Sequence, residues 1–263
     1  MRLNRTLFYI MLCVFVAGVT MAVFIKPENV AMSRIATGLI TGSFIGLVSS
    51  IVNYVYAWQK FMTEIFNSAD SLSDDLAYDL IRSQSKIDDI EKHDKQFIID
   101  TSISYSKAEK LDLKYTNERR YDKYRLKFET SQYAPLFFRK KTLNILDELE
   151  RLINQLGMIV SYSRAEYNLA LLRVEHLSIE EEKLIIGDRD SFYDDQIQQI
   201  YNWRDYTAHC MRRLTVLMEK LQKSLKPISL GEEYSEITNL LASSTDRILK
   251  NIPDRNPLEE VDD

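Results

Sequence analysis

The chain has 263 residues, a formal net charge of −5, 45% hydrophobic residues, two Cys, seven Gly and five Pro. These averages exclude a disulfide scaffold, a collagen-like or low-complexity chain, and a protein that is basic over its whole surface. They do not exclude a membrane protein, because an average hides apolar segments beneath a polar remainder.

Two such segments open the chain. No charged residue occurs at positions 6–25 or at positions 35–58, runs of 20 and 24 residues. As helices they would measure about 30 and 36 Å, enough to cross a hydrocarbon core of about 30 Å. Lipid offers the backbone no hydrogen-bond partners, so both are predicted as transmembrane helices. The nine residues 26–34 between them include Pro27 and leave room only for a tight return. Residues 1–58 are therefore expected to form a two-helix transmembrane hairpin with both termini on one side.

A cleaved signal peptide is the competing reading, since Arg2 and Arg5 precede the first run and Thr20, Met21 and Ala22 resemble a cleavage site. The run exceeds the usual apolar region of about 7–15 residues, and a second span follows at once. Arg2, Arg5 and Lys60 on the terminal side outnumber Lys26 and Arg34 in the link, where Glu28 offsets part of the charge. The positive-inside bias places both termini in the cytoplasm. Cys210 has no disulfide mate except Cys13 within the first span, which fits a reducing compartment. Tyr54, Tyr56 and Trp58 are expected to form an aromatic belt where the second span leaves the membrane.

Gly38, Gly42 and Gly46 repeat every four residues, and Ser50 continues the row. Small residues at this spacing let another helix backbone approach closely. Thr41, Ser49 and Asn53 flank them as candidate pore-facing positions, while Leu39, Ile40, Phe44, Leu47 and Ile51 are expected to face lipid. The groove either seats the first helix around Ala17 and Gly18 or joins copies of the chain. With no Asp, Glu, Lys, Arg or His inside either span, a proton relay, voltage sensor or ion-coupled transporter is disfavoured.

Residues 59–252 are expected to be a mainly helical cytosolic domain. Phe61, Ile65, Leu72, Leu76, Leu80, Ile87 and Ile90 make one buried stripe over residues 59–95. Period-two alternation at Leu111, Leu113 and Tyr115, and again at Tyr124, Leu126 and Phe128, predicts a small β-hairpin near residues 100–130. A helix through Tyr121, Tyr124 and Phe128 is its competitor. After Pro135, the positions Leu146, Leu149, Ile153, Leu156, Val160, Ser163, Tyr167, Ala170, Val174 and Leu177 follow a 3-4 heptad spacing. Ser178 with Glu181 starts a short helix that ends near Gly187. A long helix follows from Ser191 to Lys226, with Ile197, Ile200, Met211, Leu214, Met218, Leu221 and Leu225 as its stripe and Arg204 and Thr207 as interruptions. The two long helices are expected to pair antiparallel. A third runs from Ser229 to about Lys250, and the acidic tail 253–263 is expected to be disordered.

Charge is distributed unevenly. Residues 107–141 hold 11 Lys/Arg and five Asp/Glu, a net of +6, whereas residues 59–106 and 142–263 together sum to −14. Lys110, Lys114, Arg119, Arg120, Lys123, Arg125, Lys127, Arg139, Lys140 and Lys141 are the candidate contacts to nucleic acid, a signalling nucleotide, an acidic protein or anionic lipid. Tyr121 and Tyr124 could add base stacking. The competing reading is a solvated surface neutralised by the acidic helices of the same fold.

Catalysis finds little support. His93, His176 and His209 are scattered, and no Cys/His cluster has metal spacing. Gly157, Gly187 and Gly231 are too far apart to cradle phosphate. Asp188, Asp190, Asp194 and Asp195 lack the glycine and terminal glutamate of a calcium loop and read as helix-start residues. No enzyme activity, metal or cofactor is expected.

The layout of a short membrane hairpin with its glycine row, followed by a helical cytosolic domain, resembles the two-transmembrane effectors of bacterial anti-phage systems of the retron-associated or cyclic-nucleotide-signalling type. The resemblance implies a toxic effector of the bacterial inner membrane that oligomerises through its second span and permeabilises the membrane when released. It also implies a regulatory partner, in a retron a reverse transcriptase with its RNA–DNA product, which the +6 segment could face. The alternative is a membrane-anchored scaffold that recruits a cytosolic protein through its heptad seam. Replacing Lys114, Arg125 and Lys127 by Glu should strip anionic partners from the full chain in a pull-down; retention of every partner would leave the segment a solvated surface.

Overall fold

Proline is absent from residues 28–134, and the longest helix runs through much of that stretch. The computed structural model of the protein describes residues 2–24, 30–93, 121–125, 140–171, 187–225 and 232–258. Helix α1 is Arg2–Phe24, and α2, Val30–Lys92, continues for 63 residues. They are followed by α3 (Asp122–Arg125), α4 (Lys140–Gln155), α5 (Gly157–Ser163), α6 (Ala165–Leu171), α7 (Arg189–Leu225) and α8 (Glu232–Leu249). One compact unit runs to Glu64, and the second takes in the described chain from Ile65 onward.

In the first unit α1 lies antiparallel to the start of α2. Phe15 meets Phe44 at 6.5 Å between ring centres, a methyl added at Gly18 would sit 3.1 Å from Ile40 and Leu39, and one at Gly46 would sit 2.9 Å from the Met11 sulfur. As the contact moves toward the C-terminus on one helix it moves toward the N-terminus on the other. Hydroxyls along these helices turn inward: Thr20 donates to Val16 O, Thr37 to Ser33 O and Ser43 to Leu39 O. A hydroxyl bonded to its own helix needs no water.

The second unit is a helical core around α7. Residues 203–211 of α7 are buried at nearly every position, as in a helix surrounded on all sides. The antiparallel pairing predicted for the two long helices is present: Thr142 bonds Ser224 at 3.2 Å near one end, and Asn168 donates to Gln196 at 2.8 Å near the other. Helix α8 returns along α7 through the Thr215–Thr245 hydroxyl pair, 2.8 Å apart. From α2, Ile65, Leu72, Leu76, Leu80 and Ile87 are buried as the stripe requires, as Phe61 is within the first unit, and the Phe66 ring packs 4.6 Å from Tyr234. At the other end of the core Ile87, Ala165, Leu169, Tyr193 and Ile200 cluster together. Thr207 does not interrupt the α7 stripe, because its hydroxyl donates to Trp203 O at 2.7 Å and is silenced within the helix.

Four expectations are modified. No strand occurs among the described residues, and the β-hairpin is not supported. Residues 123–125, assigned to its second strand, form a helical turn in which Tyr121 and Tyr124 both point into the core, as the competing helix reading requires; residues 110–115 lie outside the described residues. The heptad seam holds from Leu146 to Leu156 and then shifts. Leu156 N, Ile159 N and Arg164 N bond carbonyls three residues back, and a tightened turn advances about 120° per residue. The buried positions therefore become Leu156, Ile159, Tyr162 and Ala165, and Ser163 bonds Val160 O instead of packing. The predicted positions Tyr167, Ala170, Val174 and Leu177 lie outside the described side chains. In the aromatic belt, Tyr56 is exposed but Trp58 is 3% exposed against Phe61, because two residues along a helix is more than half a turn. The tail is held as far as Leu258: Arg212 donates to Ile252 O, Pro253 O and Asp254, Arg255 lies 3.8 Å from Asp205, and Pro257 is buried.

Helix α7 begins two residues before Ser191. Gly187 adopts φ 68°, a left-handed turn that a side chain would strain, and Phe192 N then bonds Asp188 O at 2.9 Å. Asp188 and Asp190 thus sit at a helix start.

The most demanding polar contact in this unit joins α2 to α6 and α7. Arg82 pairs with Glu166, Lys86 lies 3.8 Å from the same carboxylate, and the Arg82 guanidinium sits 5.8 Å from the centre of the Trp203 ring. Arg82→Ala strands a largely covered carboxylate and should cost about 2 kcal/mol, read from denaturant unfolding of the full chain in detergent by Trp203 fluorescence. Arg82→Met with Glu166→Leu should recover most of that loss; a double variant as unstable as the single one would mean that the pair acts by shape alone.

Candidate functional site

The four-residue glycine row divides in space. A helix turns about 100° per residue, so a four-residue repeat drifts about 40° per step, and Gly38 and Ser50 end about 120° apart. A seven-residue repeat drifts only about 20°, and it is Ala36, Ser43 and Ser50 that are buried, at 1%, 3% and 7% exposure. Gly46 stands beside this seam and meets Met11, whereas Gly38 and Gly42 are exposed with no atom within 4 Å of an added methyl. Thr41, Ser49 and Asn53 are all exposed. Ser49 and Asn53 lie within about 20° of Gly42 around the helix, and Thr41 about a quarter-turn away. Gly46 and Gly18 serve the α1 contact, whereas Gly38, Gly42, Ser49 and Asn53 lie on a separate small, mildly polar strip.

The rest of this unit's surface is apolar. Of the 22 large hydrophobic side chains that are exposed among the described residues, 17 fall between Tyr9 and Tyr56. Only 17% of the most apolar stretch of α2 is buried, which distinguishes it from a core helix of a soluble protein. Among the described residues one helix, Val30–Lys92, is long and apolar enough to cross a membrane; the apolar part of α1, Phe8–Phe24, is shorter.

Part of the basic segment is tied to the protein itself. Lys123 Nζ lies 2.8 Å from Asp75 and 4.8 Å from the centre of the Tyr124 ring. Arg125 Nε donates to Asn154 at 3.1 Å. Tyr121 donates to Asp79 and Tyr124 donates to Asp75, so their rings, 5% and 1% exposed, are spent on the core and are not surfaces for stacking bases. Lys140 and Lys141 are exposed at the start of α4. Lys110, Lys114, Arg119, Arg120, Lys127 and Arg139 lie outside the described residues.

Asp75 and Asp79 were not among the sequence candidates. Their signal is a matched spacing: two carboxylates one helical turn apart on α2, and two phenols three residues apart, one just before α3 and one within it. On the exposed flank of the same helix, burial and then the neighbouring Asp74 hold the Asp70 carboxyl above its ordinary range.

Nucleophile and metal chemistry gain no geometry. No cluster of three metal-ligating side chains occurs among the described residues. Cys210 is 1% exposed, and burial pushes its thiol up to about 12 despite the Tyr206 hydrogen bond and Arg213, which act the other way. Burial and Cys210 likewise push the Tyr206 phenol up. His209 stacks on Tyr206 and lies 3.5 Å from Asp254.

No protein-family model, curated protein or solved structure matches the chain.

In a Cys13→Ser variant, Cys210 should resist a thiol reagent at pH 8 until the chain is unfolded; rapid labelling of the native protein would show that this core opens readily. The unfolded thiol ionises near 9 while the folded one keeps its proton to about 12. Above pH 9 the folded state binds more protons, so this group makes stability fall as pH rises, by up to about 1.4 kcal/mol per unit. Cys210→Ala should flatten that slope in a pH series of denaturant unfolding.

Proposed function

We propose that the chain is a multi-pass effector of the bacterial inner membrane, in which α1 and the first part of α2 form the embedded hairpin and both termini face the cytoplasm. The observation that carries the membrane part is the concentration of exposed apolar side chains between Tyr9 and Tyr56. In lipid these groups need no covering, and the hydroxyls of Thr20, Thr37 and Ser43 already have acceptors within their own helices.

Association through α2 is the second step. Gly38 and Gly42 offer a backbone-close surface that α1 leaves open, with Ser49 and Asn53 on the same strip. Copies joined there would bring mildly polar side chains together in the bilayer, the arrangement of a weakly selective pore. The cytosolic helices would restrain this assembly until a regulatory partner or ligand releases it, as in the anti-phage effectors that the layout resembles. Support for the scaffold alternative is weaker, because the seam meant to recruit a partner, Leu146, Leu149, Ile153 and Leu156, is already buried within the chain.

Expression of the full chain without a partner should slow growth and admit a membrane-impermeant dye. Gly38→Leu with Gly42→Leu should abolish dye entry while accumulation and insertion persist. Gly18→Leu should instead lower accumulation, because its side chain would press on the Leu39 Cβ and the Ile40 backbone nitrogen. Undiminished dye entry in the Gly38/Gly42 variant removes the pore mechanism; no growth defect or leak from the wild type would leave a membrane-anchored scaffold.

A further inference from the structure

We draw no further inference here: the strongest candidate, the exposed strip of α2 formed by Gly38, Gly42, Ser49 and Asn53, belongs to the site already described, and nothing else in the structure shows what covers it.

Discussion

Everything in this protein depends on α2 meeting two kinds of surroundings along one helix. From Ile65 to Ile87 it buries a regular apolar stripe against other helices. Between Val30 and Tyr56 its large apolar side chains are mostly exposed. A half-exposed aliphatic or aromatic side chain forgoes roughly 1 kcal/mol of transfer free energy in water. Over the 17 such groups from Tyr9 to Tyr56 the sum is on the order of 15 kcal/mol, comparable with the net stability of a whole domain. A membrane recovers that quantity without any further protein contact, which is why the membrane reading explains the first unit more economically than an unseen cover.

Within the second unit the apolar stripe alone leaves α2 free to slide or turn by a small step at little cost. The polar pairs do not tolerate such a step. Asp75 and Asp79 accept from Tyr124 and Tyr121, Arg82 meets Glu166, and Tyr201 reaches Glu91 at 3.4 Å. A one-residue slip would bury several of these groups without partners, at about 1–3 kcal/mol each. They act as register marks more than as a source of net stability.

Long stretches of the helical body are legible in the chain because their cause is local. The stripes of α2 and α7 and the seam of α4 follow from spacing, and most of the residues they name are buried. Misreadings arose where a distant partner decided. Alternation around Tyr124 suggested a strand, yet Tyr121 and Tyr124 are three apart and match the two carboxylates on α2. The seam moved after Leu156 because tightened turns at Leu156, Ile159 and Arg164 changed the period. The acidic tail, poor in apolar residues, is nonetheless held at Pro253, Asp254 and Arg255 by Arg212 and Asp205, which lie more than 40 residues upstream.

Taken alone, the sequence determined which segments can be helical, which are apolar enough to suit a membrane, and that charge is concentrated in residues 107–141. Those properties depend on composition and on repeat lengths of a few residues. Tertiary structure decided how the glycine row is divided, with Gly46 closed by Met11 and Gly38 and Gly42 left open. It also decided that Lys123 is matched by Asp75 and that Tyr121 and Tyr124 are core residues. The reason is geometric: a repeat specifies a face of a helix, but only the packed neighbour determines whether that face is covered, paired or exposed.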